Sequence, residues 1–242
     1  MRVLVTGAAG AIGSATVGLL AAAGHRVVAQ DLHLEALDRL GDLAPVRLAG
    51  DLRCERHLDE VARAAAAAPL DAVIAAHGIP GAGALAEMAP ERLRLILEVN
   101  AGTIPALLAA TLDALRPGGG AFVIVASQAA LRGERDNAVY CASKWSVRAW
   151  AEAIAPDLRE EGVFVRALCP GRTEGPLLEQ ALVGFAAGAG ITVDEYVASV
   201  LALVPLGRYA TTEESAAAAV YLADPAPGRP TVLATSGGEV PW

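Results

Sequence analysis

The sequence predicts an α/β fold: a doubly wound, mainly parallel seven-stranded sheet with helices on both faces, forming a single domain over residues 1–242. Three observations predict it. Short β-branched runs alternate with longer helical stretches along the chain. The first apolar run, Val3-Leu4-Val5, leads into a glycine-rich turn and then into a helix. With 242 residues, 54% of them hydrophobic but only 4% aromatic, the core is made mostly of Ala, Val and Leu, which suits close packing of helix on sheet.

The strands are expected at Val3–Val5, Arg26–Gln30, Val46–Ala49, Ala72–Ala76, Phe122–Val125, Val163–Leu168 and Thr231–Ala234, each a short apolar or β-branched run. Between them, Ala11–Ala23, Leu34–Leu40, Glu55–Ala67, Glu91–Leu115, Tyr140–Glu161 and Glu213–Leu222 have helical composition and length. Right-handed crossovers between such elements place ligands at the carboxyl ends of the strands. One region breaks the alternation. Residues 172–206 carry Gly184, Gly188 and Gly190 around short helical pieces, an insertion where a substrate lid would sit. The alternative for it is a surface that packs against a neighbouring subunit.

A formal net charge of −8, a pI near 5.0 and the lack of any Lys/Arg cluster exclude a nucleic-acid surface. Cys54, Cys141 and Cys169 are odd in number and lack CxxC spacing, which argues against a disulfide framework or a metal site and for buried thiols in a reducing compartment. The N-terminus enters a strand directly, and no apolar run reaches the roughly 18 residues of a membrane span. A cytoplasmic protein is expected, with no membrane and no nucleic-acid partner.

The turn TGAAGAIG, Thr6 to Gly13, lets backbone N–H groups approach a pyrophosphate and aims a helix N-terminus at it. Gly-rich turns also join strands to helices for steric reasons alone. The second strand ends at Asp31, 18 residues beyond Gly13, where a carboxylate can accept from both hydroxyls of an adenosine ribose and repel a 2′-phosphate. Leu32 follows in place of a cation, so the pattern favours NAD over NADP; a helix N-cap is the competing role for Asp31.

Tyr140 and Lys144 in YCASK stand four apart in a helical stretch, on one face, and the ammonium is expected to lower the phenol pKa toward neutrality. Ser127 ends the fifth strand, 13 residues before Tyr140, where its hydroxyl can steady a substrate oxygen. Asn100 puts an amide into an apolar helical stretch, which is unfavourable unless its hydrogen bonds are used.

These motifs in this order resemble the short-chain dehydrogenase/reductase family, from the Gly-rich turn to the C-terminus. The resemblance implies a Rossmann-type fold and a tetrad of Asn100 (EVNAGT), Ser127 (IVASQ), Tyr140 and Lys144. It implies an NAD cofactor held by Gly7, Gly10, Ala11, Ile12, Gly13, Asp31, Asp51, Leu52, Ala76, Gly78, Tyr140, Lys144, Pro170, Gly171 and Thr173. The implied reaction is hydride transfer between nicotinamide and a carbinol carbon. Tyr140 is the acid/base, Lys144 tunes it and holds the nicotinamide ribose, Ser127 supports the oxygen, and Asn100 positions a water. The substrate is expected to be a small secondary alcohol, polyol or hydroxy acid, in a pocket lined from Gln128–Asn137, Arg172–Gln180 and the lid. Its charged and aromatic candidates are Arg132, Arg135, Arg172, Glu174, Glu179 and Phe185. A homotetramer or homodimer is implied by the same resemblance.

Three positions depart from the family pattern. Ala11 replaces the usual glycine of TGxxxGxG while Gly10 stands one earlier, a spacing shared with the extended branch that acts on nucleotide sugars; the chain length, YCASK and the Pro-Gly turn place the sequence in the short branch. Asn-Asn-Ala-Gly is Ala75-Ala76-His77-Gly78, with His77 read as a structural replacement for an amide that ties strands together. Gly175 stands where a nicotinamide-binding threonine is common, with Thr173 nearby. A non-catalytic dinucleotide sensor and an NADP-dependent ketoreductase are the alternatives.

Overall fold

The computed structural model describes residues 1–240. Seven parallel strands run β1 (Arg2–Thr6), β2 (Arg26–Asp31), β3 (Val46–Ala49), β4 (Ala72–Ala75), β5 (Ala121–Val125), β6 (Phe164–Pro170) and β7 (Val232–Thr235). Their order across the sheet is β3-β2-β1-β4-β5-β6-β7, and every pairing is parallel. The order reverses direction between β1 and β4, which opens a crevice at their carboxyl ends.

Side chains alternate across the sheet, so each strand feeds two cores. On one face Val5, Val27, Ile74 and Val123 pack against Val17 and Leu20 of α1 (Ala11–Ala22), Leu37 of α2 (Leu34–Asp38) and Leu222 of a late helix, Thr212–Ala223. On the other, Leu4, Val73, Phe122 and Val165 meet Val61 of α3 (Glu55–Ala66), the helices after β4, and Val147 and Ala151 of the helix after β5. The late helix opens with a capping box in which Thr211 and Glu214 satisfy each other's backbone N–H groups.

The stretch predicted as one helix over Glu91–Leu115 is divided. It forms α4 (Pro90–Leu97) and α5 (Thr103–Leu115) with a π-turn at Glu98–Gly102 between them, and Asn100 lies in that turn. A π-turn widens the helix by one residue and commonly marks a functional position. The whole run Pro90–Gly118 is long and apolar enough by length and composition to span a bilayer, although it holds no unbroken apolar run of that length; here Ile104, Leu107 and Leu115 are buried against the sheet.

The helix after β5 is α6 (Ala138–Arg159); the insertion after β6 forms α7 (Pro176–Ala189) and α8 (Val193–Leu201), bent 101° from each other, and α9 is Thr212–Ala223. One buried cation was not foreseen. Arg166, in the middle of β6, donates to the carbonyls of Asp224 (2.6 Å) and Ala226 (2.7 Å), satisfying backbone acceptors beyond the end of α9. Of the three thiols, Cys141 and Cys169 are buried, whereas Cys54 is exposed, because it precedes α3 on the loop after β3.

Candidate active site

A cavity of about 720 Å³ opens at the carboxyl ends of the strands. Every residue singled out for cofactor contact lines it, together with Ser127, Tyr140 and Lys144; Asn100 sits behind it. At one end the turn Gly7–Gly10 runs from β1 into α1. Gly7 has φ +62°, and a Cβ there would come 2.6 Å from the His77 backbone, so the turn lies flat on the end of β4. A Cβ on Gly13 would come 2.0 Å from the Gly7 carbonyl oxygen, which fixes the close approach of helix to turn. The first N–H groups of α1 have no carbonyl one turn back, and they line the cavity.

Asp31 accepts hydrogen bonds from the backbone N–H of Ala9 (2.9 Å) and of Leu32 (2.7 Å), one on each oxygen. It caps no helix: the residue before α2 is His33. The carboxylate is therefore clamped to the glycine-rich turn with lone pairs left over. Nearby, Arg53 folds onto Asp51 (2.6 Å) and reaches Glu98 (3.4 Å). That pairing holds the Asp51 carboxyl below its ordinary value and neutralises the guanidinium at this end of the cavity.

In the middle of the cavity, Tyr140 is desolvated and its phenol is pushed up to about 12 by burial, partly opposed by the hydrogen bond with Ser127. This corrects the expected direction. The Lys144 ammonium lies 5.6 Å from the ring centroid but donates to the Val125 carbonyl (3.1 Å), and burial lowers its own pKa to about 8. Desolvation of both groups outweighs their mutual help in the protein alone. Gly81 passes so near that a Cβ there would come 2.9 Å from the Tyr140 Cβ.

The Asn100 amide is used within the protein. Its Oδ1 accepts from the Ile79 N–H (2.8 Å), while Nδ2 donates to the Ile79 carbonyl (3.0 Å) and the Ser143 hydroxyl (3.3 Å). It thus clamps the loop after β4 to α6, and only a second lone pair on Oδ1 is left to hold a water. The Thr173 hydroxyl is likewise engaged, with Ser215 on α9 (2.8 Å) and the Gly171 carbonyl (3.3 Å), although the residue lines the cavity.

His77 bridges three elements. Thr103 on α5 gives its only hydroxyl proton to the Val99 carbonyl (2.9 Å), so it must accept from His77 Nε2–H (2.8 Å). Nδ1 is then unprotonated and accepts from Thr6 of β1 (2.7 Å). A neutral ring with both nitrogens satisfied explains why burial, helped by the Lys144 charge, holds its pKa down to about 3.

The far end of the cavity is lined by Gln128, Glu134 and Asn137, by Pro80, Gly81 and Arg92, by Arg172 and Glu174, and by Leu177, Leu178, Ala181 and Phe185 of α7. Of the side chains expected there, Arg132, Arg135 and Glu179 do not line it: Arg132 pairs with Glu239 and Arg135 with Asp136. Pro80 and Gly81, later in the loop after β4, and Arg92 on α4 had no sequence signal, since a contact made through a crossover leaves no local pattern.

A doubly wound sheet with a Gly-rich turn at its switch point and a Ser, Tyr, Lys group beside it defines a class of dinucleotide-dependent oxidoreductases. The chain belongs to the short chain dehydrogenase family, whose model matches residues 1–182. It is 34% identical to a D-threitol dehydrogenase of Mycolicibacterium smegmatis, over 92% of this chain and 85% of the relative. It is 30% identical to a putative ketoacyl reductase of the monensin polyketide synthase of Streptomyces virginiae, over 91% and 88%. A crystal structure of a variant actinorhodin polyketide ketoreductase with NADPH superposes with a TM-score of 0.88 at 28% identity, covering 98% of this chain and 97% of that one.

Proposed function

We propose that this oxidoreductase interconverts a secondary alcohol and its ketone, with NAD as cofactor. The observation that carries the cofactor choice is Asp31, whose carboxylate is fixed at the cavity wall by the Ala9 and Leu32 amides and carries no cation among its described partners. A 2′-phosphate placed there meets a like charge, whereas ribose hydroxyls meet an acceptor. The turn 7–10 and the N-terminus of α1 fit the pyrophosphate, Asp51 and Leu52 the adenine, and Ala76, Gly78, Pro170, Gly171 and Thr173 the remainder of the dinucleotide.

The bound nicotinamide supplies the hydride acceptor. The chain supplies the proton chemistry. In the oxidation direction Tyr140 takes the carbinol proton, and Ser127, which lines the same cavity, steadies the substrate oxygen. A phenol near 12 with Lys144 already beside it is a poor base, and the positive charge that oxidised nicotinamide would add when bound favours the phenolate. Asn100 holds the loop that carries Gly78 and Ile79 against α6.

The likeness to polyketide ketoreductases favours a second reading, reduction of a keto group with NADP. Arg53 is the cation at the adenine end, and its pairing with Asp51 and Glu98 weighs against that reading. Comparison of kcat/KM with NAD⁺ and NADP⁺ decides. At least about tenfold preference for NAD⁺ is expected, the scale of a like-charge penalty; equal or better use of NADP⁺ overturns the assignment. A homotetramer or homodimer built on the α5 and α6 faces, and a cytoplasmic setting, complete the proposal.

A further inference from the structure

Beside Tyr140, the cavity wall holds a carboxylate with an unusual set of partners. Glu134 Oε2 accepts from the Asn137 amide (2.7 Å) and Oε1 from the Gln128 amide (3.2 Å). Both amides are on buried side chains, Gln128 being 3% and Asn137 5% exposed. Glu134 therefore has a fixed orientation. Among the described residues it makes no ion pair: the arginines nearest in sequence are committed elsewhere, Arg132 to Glu239 and Arg135 to Asp136.

The arginines of the wall are turned to other partners: Arg172 reaches Glu239 (3.5 Å), and Arg92 donates to the Pro80 carbonyl (2.6 Å), a neutral acceptor that leaves its charge in place. Neutral amides hold a carboxylate in place without cancelling its charge, and an ionised carboxylate is a pure acceptor with lone pairs to spare. Glu134, Gln128 and Tyr140 all line the same cavity, and Gln128 directly follows Ser127.

From this geometry we infer that Glu134 is a specificity-determining residue that accepts a second hydroxyl of the substrate, next to the carbinol that reacts, so that the substrate is an uncharged vicinal polyol or hydroxy ketone. This rests on the alcohol dehydrogenase reading above and narrows it. A ligand carrying a carboxylate next to the carbinol sets two like charges together at Glu134, which disfavours simple 2-hydroxy acids. A mono-alcohol lacks the hydroxyl that would make this hydrogen bond.

The test compares three four-carbon probes with NAD⁺: 2-butanol, a butanetetrol and 2-hydroxybutanoate. The tetrol and the hydroxy acid differ from 2-butanol in the groups flanking the carbinol, and the tetrol also in one terminal hydroxyl further along; the Glu134→Gln variant isolates the part that Glu134 contributes. The inference expects kcat/KM for the tetrol to exceed that for 2-butanol by at least about tenfold, with the hydroxy acid slowest. Glu134→Gln should shrink the tetrol to 2-butanol ratio by at least about tenfold, chiefly through KM for the tetrol, and should raise the hydroxy acid relative to the tetrol. If the wild-type enzyme oxidises all three comparably, or prefers the hydroxy acid, the inference is overturned while the dehydrogenase reading stands. If it oxidises none of them, nor reduces the matching ketones, the reading beneath it fails and the inference with it. Should Glu134→Gln not fold, the wild-type ranking alone decides.

Discussion

Ala11 and Gly175 face each other across the cavity wall so closely that a Cβ on Gly175 would lie 2.9 Å from the Cβ of Ala11. Gly175 also has φ +133° and ψ 173°, a conformation essentially confined to glycine. Two positions that depart separately from the family pattern are thus one packing unit: the methyl at 11 occupies space that the missing side chain at 175 vacates.

Gly175→Ala is expected to lower stability by about 1–3 kcal/mol, the cost of that backbone conformation, with a steric part on top. Adding Ala11→Gly should recover the steric part only. A double-mutant cycle by urea unfolding measures this, with a coupling of about 0.5 kcal/mol or more expected between the two sites. Strict additivity contradicts the pairing.

Asp31→Asn keeps an acceptor for the Ala9 amide while removing the negative charge. It should raise kcat/KM for NADP⁺ relative to NAD⁺ by at least about tenfold. An unchanged ratio shows that the carboxylate does not select the cofactor.

His77 is held neutral in the fold, with a pKa of about 3 against an ordinary 6.5. The unfolded chain therefore binds more protons than the folded one between these values. Stability from this site is complete above about pH 6.5 and is lost progressively as the pH falls toward about 3. His77→Asn should flatten this part of the stability-against-pH curve relative to the wild type; parallel curves contradict the neutral bridge. His77→Leu should cost about 1–3 kcal/mol, because the buried Thr6 hydroxyl loses its acceptor.

Asn100→Ala should destabilise the loop after β4 through the loss of three hydrogen bonds, each worth about 1 kcal/mol. Hydrogen exchange at the Ile79 amide reads this directly, and unchanged protection there contradicts the clamp.

All seven strands were legible to within about two residues, the inner ones because parallel strands buried on both faces are short apolar runs and the edge strands β3 and β7 because they too are short and partly apolar. So were the residues that converge on the cavity, since the Gly-rich turn, Asp31 and YCASK each carry their meaning in local spacing. What was missed depends on tertiary contact. The π-turn at Glu98–Gly102 arises where Asn100 is drawn to Ile79, a partner 21 residues away. The direction of the Tyr140 pKa follows from how deeply α6 buries it, which helical spacing does not report. That Glu134 makes no ion pair among the described residues appears only once Arg132 and Arg135 are seen to pair elsewhere.

The most direct test of the account replaces Tyr140 by Phe, which removes one oxygen and leaves the ring. The absorbance of reduced nicotinamide is followed during oxidation of a secondary alcohol or polyol, and NADH affinity is measured on the same preparations. Turnover should fall by about 10²–10⁴-fold with NADH binding nearly intact. Turnover equal to the wild type in Tyr140→Phe would place the proton chemistry on another group.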